Sequence, residues 1–125
     1  MSQREPIAYV WDVRHACDRI RHFVDGMDRG TYLSDERTRL AVERLLITIG
    51  EAVNRLSASD SAMAEQLGNV SRIVAFRNIL VHGYFNLDHE IVWDTIMAHL
   101  PALHAAADAI WARHAHLYEE DPPSS

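Results

Sequence analysis

In Ser34-Asp35-Glu36-Arg37-Thr38-Arg39-Leu40-Ala41-Val42-Glu43-Arg44-Leu45-Leu46-Ile47-Thr48-Ile49-Gly50-Glu51-Ala52-Val53-Asn54-Arg55-Leu56, apolar residues return at helical rather than strand spacing. Leu40, Ala41, Leu45, Ile49, Ala52, Val53 and Leu56 form an inner face, and Val42, Leu46 and Ile47 widen the arc so that more than one side must be covered. The pattern predicts a central helix, or one that also meets another copy of the chain. Ser34 is the expected N-cap, with Asp35 and Glu36 suiting the positive end of the helix dipole, and the helix is expected to run to about Ser57. On its polar side Arg44, Thr48, Glu51 and Arg55 recur at spacings of four, three and four beside Gly50, a stripe suited to line a cleft.

Upstream, residues 7 to 27 place Tyr9, Val13, Ala16, Cys17, Ile20, Phe23, Val24 and Met27 on one helical stripe, and Gly26 and Gly30 are expected to bracket a turn. Downstream, residues 58 to 70 are polar, with one short helical turn expected around Ala62 to Leu67. Ser71 is the expected cap of a third main helix carrying Ile73, Val74, Phe76, Ile79 and Leu80, which Gly83 should end. Asp88 can cap a last helix built on Ile91, Val92, Ile96, Leu100, Leu103, Ala107 and Ile110, with Pro101 expected to kink or split it. Nothing alternates for long enough to make a sheet. The expected architecture is an all-α bundle of four to five helices in one domain, residues 1–118, followed by a disordered acidic tail, residues 119–125.

A chain of 125 residues can bury one continuous core without disulfides or a structural metal. The lone Cys17 lies on an apolar helical face and reads as a small buried hydrophobe in a reducing compartment. No long apolar run follows the N-terminus, so a signal peptide or membrane span is not expected and a cytoplasmic location is. The formal net charge of -6 is a poor balance for non-specific nucleic-acid binding, so any RNA contact must be local to a cleft whose arginines override the global field. Among eight histidines, the best metal candidates are Asp12, His15, Asp18 and His22 on one face of the first helix. No His pair stands three or four residues apart and no Cys accompanies them, so a solvated polar face is the better account and no metal is expected.

The chemistry gathers in Arg77-Asn78-Ile79-Leu80-Val81-His82-Gly83-Tyr84. On a regular helix Asn78 and His82 lie about 40° apart, whereas Arg77 and His82 are about 140° apart. Arg77 must therefore use its length, or the helix must loosen near Gly83, which would also let Tyr84 turn back toward His82. Cleavage of RNA by its own 2′-hydroxyl needs a base, an acid and a cation at phosphorus. Arg77 can supply the cation and His82 one proton transfer. The other role falls to Tyr84 or to a second His82, which a two-fold dimer joining the helix ends would provide. Spacing alone favours a plainer account, in which Arg77 and His82 suit a helix C-terminus and Tyr84 is a packing anchor.

The octapeptide resembles the Arg, four to six residues, His signature of the HEPN superfamily, and its continuation to Tyr84 looks like the HepT toxin family. The likeness extends to Ala41 through Val53, to Tyr84-Phe85-Asn86-Leu87-Asp88 and to Ile91-Val92-Trp93, and spans roughly Val10 to Leu103. It implies a helical homodimer of HEPN-like fold and a metal-independent endoribonuclease toxin of a type VII toxin-antitoxin system. Arg77 and His82 would be catalytic, with Asn78 supporting and no cofactor used for cleavage. It further implies a minimal nucleotidyltransferase antitoxin that uses ATP to transfer AMP onto Tyr84, where bulk and negative charge beside Arg77 would obstruct the RNA phosphate. Glu51 faces the cleft stripe and has two uses, orienting an Arg or forming a plain helix pair with Arg55, the latter favoured. The rival readings are a non-catalytic helical module that binds nucleotide or a nucleotidyltransferase, and a plain dimerisation domain.

Overall fold

Aspartate and asparagine set most of the helix starts, because a short acceptor satisfies backbone N–H groups that the first turn leaves unpaired. In the computed structural model, which describes residues 4–83 and 86–114, the chain forms α1 (Pro6–Val24), α2 (Arg29–Ser34), α3 (Glu36–Ser59), α4 (Ser61–Glu65), α5 (Val70–His82) and α6 (His89–His114). Thr31 N–H donates to Asp28 at 2.8 Å, Thr38 N–H to Asp35 at 3.0 Å, Met63 N–H to Asp60 at 3.0 Å, and Arg72 N–H to Asn69 at 3.1 Å. Asp88 opens α6 by accepting from Glu90 at 2.9 Å and Ile91 at 3.3 Å, as its place in the sequence predicts. These N–H groups hold Asp28 and Asp35 below the usual carboxylate range.

The all-α bundle is as expected, with six helices among the described residues, two of them short. α3 is the central element, packing against α1, α2, α4 and α5, while α1 also packs on α6. Val10, Val13, Cys17 and Ile20 of α1 meet Val42, Val53 and Leu56 of α3 and Val92, Ile96 and Ile110 of α6 in one core. Burial pushes the Cys17 thiol up to about 12. No helix among the described residues is long and apolar enough to cross a membrane.

Several boundaries differ from expectation for local reasons. Gly26 adopts φ 76, a left-handed turn that stops α1 at Val24, and Gly30 sits inside α2 instead of closing a loop. Asp35 caps α3; the Ser34 hydroxyl instead donates to the Thr31 carbonyl at 3.1 Å. Asn69 caps α5 in place of Ser71. The inner face of α3 is rotated from the expected one: Leu40 is 60% exposed, whereas Val42 and Leu46 are buried. The residues proposed as a metal face take other partners. Asp12 pairs with Arg4, His15 stacks on Trp11 with ring centroids 4.8 Å apart, and Asp18 lies 2.7 Å from Nε2 of the buried His104. The proposed tail, residues 119–125, and residues 115–118 of the expected domain lie outside the described residues.

Pro101 neither splits α6 nor ends it; the helix runs through, with the proline on its exposed side. A mid-helix proline lacks the N–H that would bond the carbonyl four residues back. Replacement Pro101→Ala should therefore stabilise the fold by about 1–3 kcal/mol, read as a higher midpoint in urea unfolding.

Candidate functional site

α5 crosses α3 at Gly50, and the crossing is close enough that Gly50 could carry no side chain. A Cβ there would stand inside van der Waals contact with Arg77 Cβ and 2.6 Å from its Cγ. The base of the Arg77 side chain thus occupies the room Gly50 leaves. From that seat the guanidinium is half-buried, with Nη2 donating to Glu51 Oε1 at 3.3 Å and Nη1 donating to Asn78 Oδ1 at 2.9 Å. Of the two partners weighed for Glu51, the structure pairs it with Arg77. The two side chains are 28% and 42% exposed, so such a pair contributes at most about 1 kcal/mol to stability. Its effect is directional: it holds a fork of N–H donors at one azimuth.

The guanidinium opens on a groove of about 440 Å³ walled by Glu43, Arg44, Ile47 and Glu51 of α3 and by Arg77 and Leu80 of α5. Of the polar stripe on α3, Arg44 and Glu51 reach this groove. Thr48 turns its hydroxyl back to donate to the Arg44 carbonyl at 3.1 Å, and Arg55 is exposed elsewhere. Two cations beside two carboxylates make the groove locally mixed in charge, despite the acidic chain.

α5 stays α-helical through His82 and ends where expected. Gly83 closes it with N–H donated to the Ile79 carbonyl at 2.8 Å, at φ -112, so the cap uses no left-handed residue. A regular helix leaves Arg77 and His82 on different sides. Arg77 faces α3 and His82 is exposed, with no hydrogen bond between His82 and Arg77, Asn78 or Glu51. The structure thus assembles Arg77, Asn78 and Glu51 and leaves His82 apart from them in one chain. Tyr84, the expected modification site, lies outside the described residues. α5 also leaves apolar surface uncovered: Leu80 alone of its residues is buried and Ile79 is 55% exposed, while Leu40 of the groove is 60% exposed.

Sequence reasoning placed Gly50 beside the cleft without assigning it a task. Its signal was faint but present, since a glycine inside a strongly helical stretch weakens the helix unless another backbone must come close.

Comparison with known proteins places the chain among ribonuclease-like relatives. A family model described as Ribonuclease HepT-like matches residues 13–110, which span the core, the groove and the octapeptide. A Methanocaldococcus jannaschii protein provisionally named an RNase is 29% identical over 82% of this chain and 94% of its own length. A second from that organism, also provisionally named an RNase, is 30% identical over 81% of this chain and 83% of its own. A Thermococcus cleftensis protein provisionally named ribonuclease HepT is 27% identical over 76% of this chain and 86% of its own. No solved structure matches.

At an open helix position Gly→Ala gains about 1 kcal/mol. Here Gly50→Ala should instead cost about 1–3 kcal/mol through overpacking against Arg77, measured by thermal unfolding. Adding Arg77→Ala to it should restore little of that loss, because alanine keeps the Cβ on which the nearest clash falls.

Proposed function

Because the chain belongs to the HepT-like ribonuclease family, we propose that it is a metal-independent endoribonuclease, the toxin of a type VII toxin-antitoxin pair, acting in the cytoplasm as a homodimer. The observation that carries this reading is the Arg77 guanidinium, seated over Gly50 and tethered to Glu51 and Asn78, with an exposed imidazole at the end of the same helix. A half-buried arginine at a groove is suited to bind a phosphodiester and take up charge as the phosphorus becomes five-coordinate.

His82 of one protomer takes the proton of the RNA 2′-hydroxyl as its oxygen attacks the adjacent phosphorus. The bond to the 5′-oxygen breaks, and that oxygen takes a proton from the imidazolium of the partner's His82. The products are a 2′,3′-cyclic phosphate and a 5′-hydroxyl. A two-fold pairing of helix ends would serve this division of labour, since one chain keeps its arginine and imidazole apart and leaves Ile79 and Leu40 exposed as apolar surface for a second copy to cover. Within the same proposal, a minimal nucleotidyltransferase antitoxin uses ATP to place AMP on Tyr84. The added phosphodiester, two residues from His82, would compete with RNA phosphate for Arg77.

Cleavage of RNA in excess chelator should persist in the native protein and fall at least about 100-fold in Arg77→Ala and in His82→Ala, both remaining dimers by sedimentation. Co-expression with the antitoxin should add the mass of one or more AMP units to the native chain and none to Tyr84→Phe. Normal cutting by His82→Ala would defeat the catalytic assignment. Tight antitoxin binding with no cleavage under any condition would instead favour the binding module.

A further inference from the structure

Glu43 belongs to the same groove wall as Arg77 and Glu51 and is the most buried of its carboxylates, with 14% of its side chain exposed. Its Oε2 stands 3.3 Å from Nδ1 of His89, the first residue of α6. Neither atom completes a hydrogen bond by geometry, and the two meet as a close polar pair. Around it stand Arg39, whose guanidinium donates to the Leu33 carbonyl, and the buried Tyr32 hydroxyl, which has no hydrogen-bond partner. Burial raises the Glu43 carboxyl above the usual range, and His89 and Arg39 offset that only in part. A carboxyl raised in the folded state contributes stability below its unfolded pKa and loses it as pH rises through the folded value. Burial therefore works against the ionised form of Glu43 in the fold.

What the pair supplies is position. Glu43, Ile47 and Glu51 recur every four residues along one stripe of α3, and all three line the groove. Glu51 takes Arg77 of α5, and Glu43 takes His89 of α6. α5 and α6 are thereby both tied to a single stripe of α3. We propose that the Glu43 and His89 pair is a positioning clamp for the groove, fixing the first turn of α6 on the same stripe of α3 that holds Arg77. Its kinetic consequence rests on the ribonuclease reading.

The test uses the full chain with Glu43→Gln, His89→Gln and the double variant, and Asp108→Asn, in the remote α1 to α6 pair with Arg14, as control. The expected result is a kcat for RNA cleavage lower by about 10- to 100-fold in either single variant, with KM within about twofold. The double variant should be no slower than Glu43→Gln alone, and the control should cut at the native rate. The thermal midpoint of Glu43→Gln at neutral pH should equal or exceed the native one, which loss of a merely structural contact would not produce. Amide exchange over residues 86 to 92 should quicken in Glu43→Gln while α1 is unchanged. Native kcat in Glu43→Gln overturns the clamp, as does a rate loss accompanied by a lower midpoint and faster exchange throughout. If the native protein cuts no RNA, the ribonuclease reading fails, and exchange alone decides the clamp: no change over 86 to 92 overturns it.

Discussion

The close approach of Gly50 to Arg77 is the constraint on which the rest of the molecule turns. Packing α5 this tightly on α3 removes the side chain that would separate the helices and puts an arginine stem in its place. The guanidinium then has nowhere to go but along α3, where the next residue, Glu51, meets it. One missing Cβ thus sets the helix spacing and the direction of the cation together. The same contact couples two positions that lie far apart in sequence. A descendant chain that keeps arginine at 77 must keep glycine at 50.

Much of this was legible in the residues, and what was not has identifiable causes. The four long helices, their order and the end of α5 at His82 follow from periodicity, from Asp88 and from Gly83, whereas α2 lies where only a turn was expected. The face of α3 does not, because an apolar arc broad enough for a central helix fits more than one rotation; hence Leu40 was expected inside and lies outside. Ser34 and Ser71 are ordinary cap residues with better caps next door or two residues upstream, Asp35 and Asn69, and local sequence cannot rank such neighbours. Pro101 follows a rule about local hydrogen bonds that packing of the surrounding helix overrides. At the site, spacing alone favoured a plain helix end, and the roles expected of Arg77, Asn78 and His82 came from the family resemblance; the choice of Arg77 over Arg55 as partner of Glu51 depends on a tertiary crossing that no helical period encodes.

The acidic balance of the chain also reads differently once many of the described carboxylates have a place. Asp28, Asp35, Asp60 and Asp88 serve the starts of helices, Asp12 and Asp18 pair with Arg4 and His104, and Asp94 with Arg29. Net charge here is chiefly a record of how the helices begin and dock. It says little about the groove, where Arg44 and Arg77 face Glu43 and Glu51 across a few ångströms of wall.

The regularity of α5 up to its last residue carries a consequence for dosage. A helix that keeps arginine and imidazole on different sides gives each protomer only part of the chemistry proposed for it. At low abundance the number of complete sites then grows with the square of the number of chains, so halving expression would quarter the output. On the proposed dimer, output would fall faster than abundance when chains are scarce, a dependence set by the pitch of one helix.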